Sequence, residues 1–143
     1  MQKKPLPVGI DDFEKLIRNN YYYVDKTLFI KELLDKKGEV NLFTRPRRFG
    51  KTLNQSMIRF FFENTGSLEG NEANQALFKD LQIMKQGDRY TQEMSSYPVI
   101  SLSLKSSKQP DWELAYGCLK EEIGREYLTH RIVLASLQVP ELT

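Results

Sequence analysis

The sequence predicts an α/β fold, a three-layer αβα sandwich of which the chain carries only the N-terminal portion. Three observations predict it. Residues 40–44 read Val-Asn-Leu-Phe-Thr, a short β-prone run. The basic loop Arg45-Pro46-Arg47-Arg48-Phe49-Gly50-Lys51-Thr52 follows at once. Next come Leu53, Met57, Ile58, Phe60, Phe61 and Phe62, a helix with a broad apolar face. A strand, a loop ending in Gly-Lys-Thr and a helix, in that order, are the setting of a P-loop, where N–H groups at a helix N-terminus wrap a phosphate. One position departs from the G-x-x-x-x-G-K-[ST] pattern, since Arg45 stands where the opening Gly is expected.

The other elements follow in chain order. Ile10, Phe13, Leu16 and Ile17 have the spacing of one helical face, with Asp11 and Glu14 set as a capping box and Asn19-Asn20 as the stop. Tyr21-Tyr22-Tyr23-Val24 suits a short strand or extended segment. Asp25 then caps a helix whose buried stripe is Leu28, Phe29 and Leu33 with Ile30 and Leu34, and Gly38 stands where a left-handed C-terminal residue is expected. Residues 64–71 read as a polar connection, and 72–85 as a helix burying Ala73, Ala76, Leu77, Phe78 and Leu81, punctuated by Gly87-Asp88. Pro98 introduces Val-Ile-Ser-Leu-Ser-Leu over 99–104, a largely buried strand. Asp111 caps a last long helix to about His130, with Trp112, Ala115, Tyr116, Leu119, Ile123, Tyr127 and Leu128 on one side. The tail, 131–143, has no clear period.

Composition narrows the class. The chain has 143 residues, 40% hydrophobic and 28% charged, which is ordinary for a soluble globular domain and short for a complete nucleotide-hydrolysing one. One cysteine, Cys118, excludes an internal disulfide framework and suits a reducing cytoplasm. No apolar run approaches the roughly 20 residues that span a bilayer, and no apolar segment follows Lys3-Lys4 as a secretory signal requires. The expected location is therefore cytoplasmic, with no membrane partner. The net charge of +2 is uneven: through Phe60 there are 13 Lys/Arg against 7 Asp/Glu, and after it 8 against 12. The basic half holds the loop, so an anionic ligand fits there, while so small an excess does not demand a general nucleic-acid surface.

Each loop residue has a physical task. Gly50 admits a phosphate with no Cβ in the way and tolerates positive φ. Lys51 supplies a mobile charge to β- and γ-phosphates, and Thr52 opens the helix with a hydroxyl for Mg²⁺. Arg47 and Arg48 raise the local potential beside Phe49, and Pro46 pushes Arg45 toward extended geometry. The competing reading is an arginine-rich surface turn. Elsewhere, His130 reads as a solvated histidine near a helix end, Cys118 as an idle or packed thiol, and no Cys/His spacing suits a metal.

Three separated runs carry a family resemblance: Leu-Pro-Val-Gly-Ile-Asp-Asp-Phe-Glu-Lys-Leu-Ile from Leu6, Tyr-Tyr-Val-Asp-Lys-Thr from Tyr22, and Phe-Thr-Arg-Pro-Arg-Arg-Phe-Gly-Lys-Thr-Leu-Asn from Phe43. The chain resembles the AAA-ATPase-like family, bacterial P-loop proteins often carrying a PD-(D/E)XK nuclease-like domain at the C-terminus. The resemblance covers about 6–130, thinning after Leu104, and leaves 131–143 unassigned. In that family the loop itself reads Arg-Pro-Arg-Arg-Phe-Gly-Lys-Thr, so Arg45 is a family trait. The resemblance implies ATP and Mg²⁺ as cofactors and Arg47, Arg48, Phe49, Gly50, Lys51 and Thr52 as the nucleotide-binding residues, with Thr52 on the metal. It adds Arg45 and Asp25 as further candidates. Residues 24–27 would lie near the adenine, although Asp25 reads more simply as a helix cap.

Hydrolysis needs an acid at the end of an apolar strand to hold Mg²⁺ and a neighbouring Glu to position water. Residues 99–104 end in Lys105-Ser106, and Glu121-Glu122 follow no strand. The expectation is a chain that binds nucleotide but does not hydrolyse it alone, an N-terminal part whose acidic half lies elsewhere. Any nucleic-acid contact would come through a nuclease-like domain absent from this chain. The alternative is a non-hydrolysing module whose Arg45-Pro46-Arg47-Arg48 run contacts nucleic-acid or protein phosphates.

Overall fold

The computed structural model describes residues 3–46, 49–131 and Ala135. Over them the chain forms the helices α1 (Phe13–Arg18), α2 (Leu28–Lys36), α3 (Lys51–Phe62), α4 (Leu68–Ala76), α5 (Asp88–Thr91) and α6 (Trp112–Thr129), with a 3-10 turn, Gln82–Lys85, between α4 and α5. Contacts divide it after Tyr97 into two compact units.

This architecture corrects the expected αβα sandwich. Among the described residues there is no strand and no sheet, and the strand-like pairing is one isolated parallel bridge between Glu63 and Tyr97. Residues 40–44 and 99–104 have no regular secondary structure. Val40 is 89% exposed, and Leu42, Ile100 and Leu104 are exposed as well. The physical reason is lateral. A strand repays its lost backbone entropy only through ladder hydrogen bonds and a covered face, and neither run has a described neighbour to supply them. β-Propensity is a preference of single residues and does not say whether anything pairs with them.

The helices of the first unit enclose one core: Phe13, Ile30, Met57, Phe61, Leu77, Phe78, Ile83, Tyr90 and Met94. Phe78 lies at its centre, 5.0 Å from the Phe13 ring and 5.3 Å from Phe61. α1 docks on α3 through the Phe13 amide, which donates to Ser56 Oγ at 2.9 Å. The α3 C-terminus is closed by the returning chain, where Ser95 and Tyr97 amides donate to the carbonyls of Phe61 and Phe62.

Local signals held in kind and shifted in register. Asp12, not Asp11, caps α1, accepting from the Lys15 amide at 2.8 Å. α2 buries Ile30 alone of its expected stripe, and its left-handed C-terminal residue is Lys37 (φ 48°), not Gly38. The helix expected over 72–85 starts earlier and breaks: Ser67 caps α4, Leu77 and Phe78 turn into the core, and a 3-10 turn follows.

In the second unit α6 matches the predicted span, with Asp111 accepting from the Leu114 amide at 3.0 Å. None of its residues is buried. His130 corrects the expectation of a solvated ring. It is 6% exposed, and Nε2 lies 2.7 Å from the Val99 carbonyl oxygen. A carbonyl can only accept, so Nε2 carries the proton.

Candidate functional site

α3 begins where it does because Gly50 stands in the left-handed region (φ 74°, ψ 21°), a conformation that ends extended backbone abruptly and strains any residue with a Cβ. A Cβ built there would meet nothing within 4 Å, so the backbone angle rather than crowding is what asks for glycine. The first intrahelical bond runs from the Asn54 amide to the Gly50 carbonyl at 2.9 Å. The amides of Lys51, Thr52 and Leu53 therefore lack an intrahelical acceptor, no side chain among the described residues caps them, and the first turn holds no acid. α1, α4 and α6 each have a capping side chain at this point. The positive end of the α3 dipole is left open to an external anion.

The open end borders a cleft of about 680 Å³, inside the roughly 300–1,000 Å³ range of small-molecule sites. Lys26, Phe29 and Glu32 line it from α2 and the turn before it, Lys51, Asn54, Gln55 and Ile58 from α3, and Asn41, Leu42, Phe43, Arg45 and Phe49 from the segment between. Lys26, Arg45 and Lys51 have no ion-pair partner among the described residues. The ion pairs of the first unit lie elsewhere, at Glu14–Arg18, Lys31–Asp35, Arg59–Glu63 and Asp35–Arg89. Glu32 is the one acid of the lining. The apolar side of the cleft is aromatic: Phe29 and Phe43 meet edge to face at 4.7 Å, and half of Phe43 remains exposed.

Of the residues expected at a nucleotide, the structure brings Arg45, Phe49 and Lys51 to one cleft beside the turn made by Gly50. Thr52 lies on the exposed first turn of α3 and is not part of the lining. Arg47 and Arg48 lie outside the described residues. Asp25 is engaged elsewhere. Its Oδ1 accepts from the amide and hydroxyl of Thr27, at 2.9 and 2.6 Å, and its Oδ2 from the Gln82 amide at 2.7 Å. Thr27 Oγ1, fully buried, accepts in turn from the Ile83 amide at 3.1 Å. The Asp25–Thr27 pair is thus a clasp tying the start of α2 to the 3-10 turn. Tyr23 completes it: its hydroxyl accepts from the Lys26 amide and points at Met57 Sδ, and burial pushes its pKa up to about 12.

Sequence reasoning missed Phe29, Glu32 and Phe43, while Lys26, in the run 24–27 that the resemblance set near the adenine, does line the cleft. Residues 26, 29 and 32 recur at helical spacing, but an apolar Phe29 among charges read as core stripe. Phe43 read as a strand residue. What could have found them is that a β-prone run with no pairing partner leaves its aromatic ring available.

The geometry is a helix N-terminus and the cations Lys26, Arg45 and Lys51 beside an aromatic cleft. Comparison with known proteins gives the family. The family model described as "Predicted AAA-ATPase" (AAA-ATPase-like) matches residues 7–136, and the chain belongs to that family. An uncharacterized protein from the vnfD 5′ region of Azotobacter chroococcum mcd 1 is 38% identical over 89 residues, 62% of this chain. The match spans only 15% of that relative's length. No solved structure matches. Among the described residues no helix is long and apolar enough to cross a membrane, and no cluster of His, Cys, Asp and Glu could hold a metal ion.

Proposed function

We propose that the chain binds a nucleoside triphosphate, ATP in the first instance, with its phosphates at the Gly50–Lys51 turn. The observation that carries this is the convergence, on an aromatic cleft of about 680 Å³, of an α3 N-terminus and the cations Arg45 and Lys51, neither end nor cations having a side-chain partner among the described residues. Family membership agrees with it. The amides of Lys51, Thr52 and Leu53 donate to phosphate oxygens while Lys51 and Arg45 neutralise them. Thr52, on the exposed first turn of α3 and outside the cleft lining, would offer its hydroxyl oxygen to Mg²⁺. With no carboxylate cluster among the described residues, the ion would be held mainly by phosphate and water, as Mg²⁺ commonly is.

Binding is separate from hydrolysis. The cleft offers Glu32 as its single carboxylate, and phosphoryl transfer to water needs an acid for the metal and a group to orient the water. The chain by itself is a binding module in this reading.

Titration with ATP–Mg²⁺ by calorimetry tests it. Lys51→Ala is expected to weaken binding at least tenfold, the order of one charge-assisted phosphate contact. The reading fails if Lys51→Ala leaves ATP affinity unchanged while changes at Arg47 and Arg48 abolish binding of single-stranded DNA or RNA. That outcome would instead establish a nucleic-acid phosphate module.

A further inference from the structure

The cleft has two walls, with Lys26, Phe29 and Glu32 on the α2 side and Lys51, Asn54, Gln55 and Ile58 on α3. α2 packs on the 3-10 turn, Gln82–Lys85, more than on α3. What sets the spacing of the walls is therefore the tie between α2 and that turn. The tie is polar.

Two side chains, two residues apart, capture two consecutive amides. Asp25 Oδ2 accepts from the Gln82 amide at 2.7 Å, and Thr27 Oγ1 accepts from the Ile83 amide at 3.1 Å. The 3-10 turn has no capping side chain at its own Leu81, so its first amides find their acceptors here. Asp25 Oδ1 closes the set by accepting from the Thr27 amide and hydroxyl. Thr27 is completely buried, where a bond left unmade costs most. Lys26 stands between the two and lines the cleft, and its own amide donates to the Tyr23 hydroxyl at 3.2 Å. That hydroxyl donates in turn to Met57 Sδ of α3 at 3.4 Å. Residues 23–27 are thus fixed to the 3-10 turn on one side and to α3 on the other. Neither Asp25 nor Thr27 lines the cleft.

Resting on the phosphate reading above, we propose that Asp25 and Thr27 are positioning residues for ligand binding. By gripping the amides of 82 and 83 they hold the α2 wall, with Lys26, at the separation from α3 that an anionic ligand bridges. Coupling of this kind is reciprocal. A ligand that binds only the closed clasp also keeps it closed, so the Gln82 and Ile83 amides report occupancy of a cleft that neither residue lines.

The test uses the full chain and has two arms. In the first, ATP–Mg²⁺ is titrated by calorimetry under conditions where each variant is folded. Thr27→Val keeps the side-chain shape and removes the hydroxyl. It is expected to weaken binding about tenfold, as when the binding-competent arrangement falls to a tenth of the population. Thr27→Ser returns the hydroxyl and most of the affinity. Asp12→Ala removes the α1 cap, leaves the clasp intact and binds as wild type. A purely structural clasp would lower the melting temperature of Thr27→Val and leave the affinity of the folded chain unchanged. The second arm needs only wild type. Saturating ATP–Mg²⁺ is expected to slow amide exchange at Gln82 and Ile83 by up to about tenfold, the same factor seen from the other side. The Gly70 amide, held by the Ser67 cap of α4, serves as the reference and changes little.

If folded Thr27→Val binds ATP as tightly as wild type, or Thr27→Ser is as weak as Thr27→Val, the positioning role is overturned while phosphate binding stands. If Thr27→Val does not fold, the wild-type exchange decides, and Gln82 and Ile83 amides indifferent to bound ATP overturn the role. If wild type binds no ATP, the underlying phosphate reading falls instead.

Discussion

On either side of Tyr97 the chain makes helices by different means. Before it, helices of four to twelve residues, each too short to persist alone in water, share a core in which Phe13, Phe61 and Phe78 are completely buried. After it, α6 runs for eighteen residues and buries none of them. Trp112 is 75% exposed, and Tyr116, Ile123, Tyr127 and Leu128 are exposed too. What holds α6 is mostly local: the Asp111 cap, Trp112 stacked on Tyr116 at 5.6 Å, Lys120 over the Tyr116 ring at 4.7 Å, and the Glu122–Arg125 pair, joined near its C-terminal end by the Ser101 amide donating to Glu126 and by the bond from His130 to Val99. The difference separates two sources of helicity. In the first unit packing makes poor helix lengths stable, and in the second, length and end effects make a helix with no core.

The largest test of this contrast is truncation on each side. Phe61→Ala or Phe78→Ala deletes a completely buried ring that touches other aromatics, and each is expected to cost about 3–5 kcal/mol. Ile123→Ala removes an exposed side chain and is expected to stay within about 0.5 kcal/mol. Urea unfolding followed by far-UV circular dichroism checks both. Equal losses would show that the α6 stripe is as packed as the core, and the contrast would be void.

The same contrast explains what could be read from the sequence. α3 and α6 were legible because each is long, periodic and introduced by a recognisable start, Gly50-Lys51 in one case and Asp111 in the other. The turn into α3 was legible because Gly50 stands directly before an apolar run. The sheet was not, because pairing is a property of two segments and the runs at 40–44 and 99–104 have no described partner. Asp25 shows the limit from the other side. It was read as the cap of α2, whose N-cap is in fact Thr27, and the Gln82 amide that fills its second oxygen lies 57 residues away. His130 failed likewise, since the Val99 carbonyl that receives its proton is 31 residues upstream.

A smaller effect sharpens the comparison through pH. Burial, foremost, raises the Tyr23 pKa to about 12, against a lowering by the Lys26 amide and a further rise from Asp25. The folded chain therefore prefers neutral phenol more strongly than the unfolded chain, whose tyrosine titrates near 10. Stability from this source is fully present below about pH 10 and is lost as pH rises toward 12. Tyr23 keeps some solvent contact, so the loss is on the order of 1–2 kcal/mol after screening. Denaturant midpoints at pH 9 and pH 11.5 measure it, with Tyr23→Phe as the reference lacking the group. If wild type and Tyr23→Phe lose the same stability, the hydroxyl is not buried in the clasp and the packing of residues 23–27 on α3 is looser than its distances state.

The smallest effect discriminates most sharply, because the same chemical device stands on both sides. Asp12 caps α1 at 2.8 Å and Asp111 caps α6 at 3.0 Å, each accepting from the amide three residues on. Replacing either by Ala removes about 1 kcal/mol of capping. In the first unit that loss is shared with the core, because Phe13 and Leu16 anchor α1 whether or not its end is capped. Asp12→Ala should therefore lower global stability while leaving the mean helicity of the native chain unchanged. α6 has no buried residue to anchor it, so Asp111→Ala should fray its first turn directly. Amide exchange at residues 112–116 should accelerate several-fold, with a fall in ellipticity at 222 nm and no change in the denaturant midpoint of the first unit. Were the two substitutions to behave alike, α6 would have to be held by packing rather than by its ends, and the distinction drawn between the two units would collapse at the helix on which it depends most.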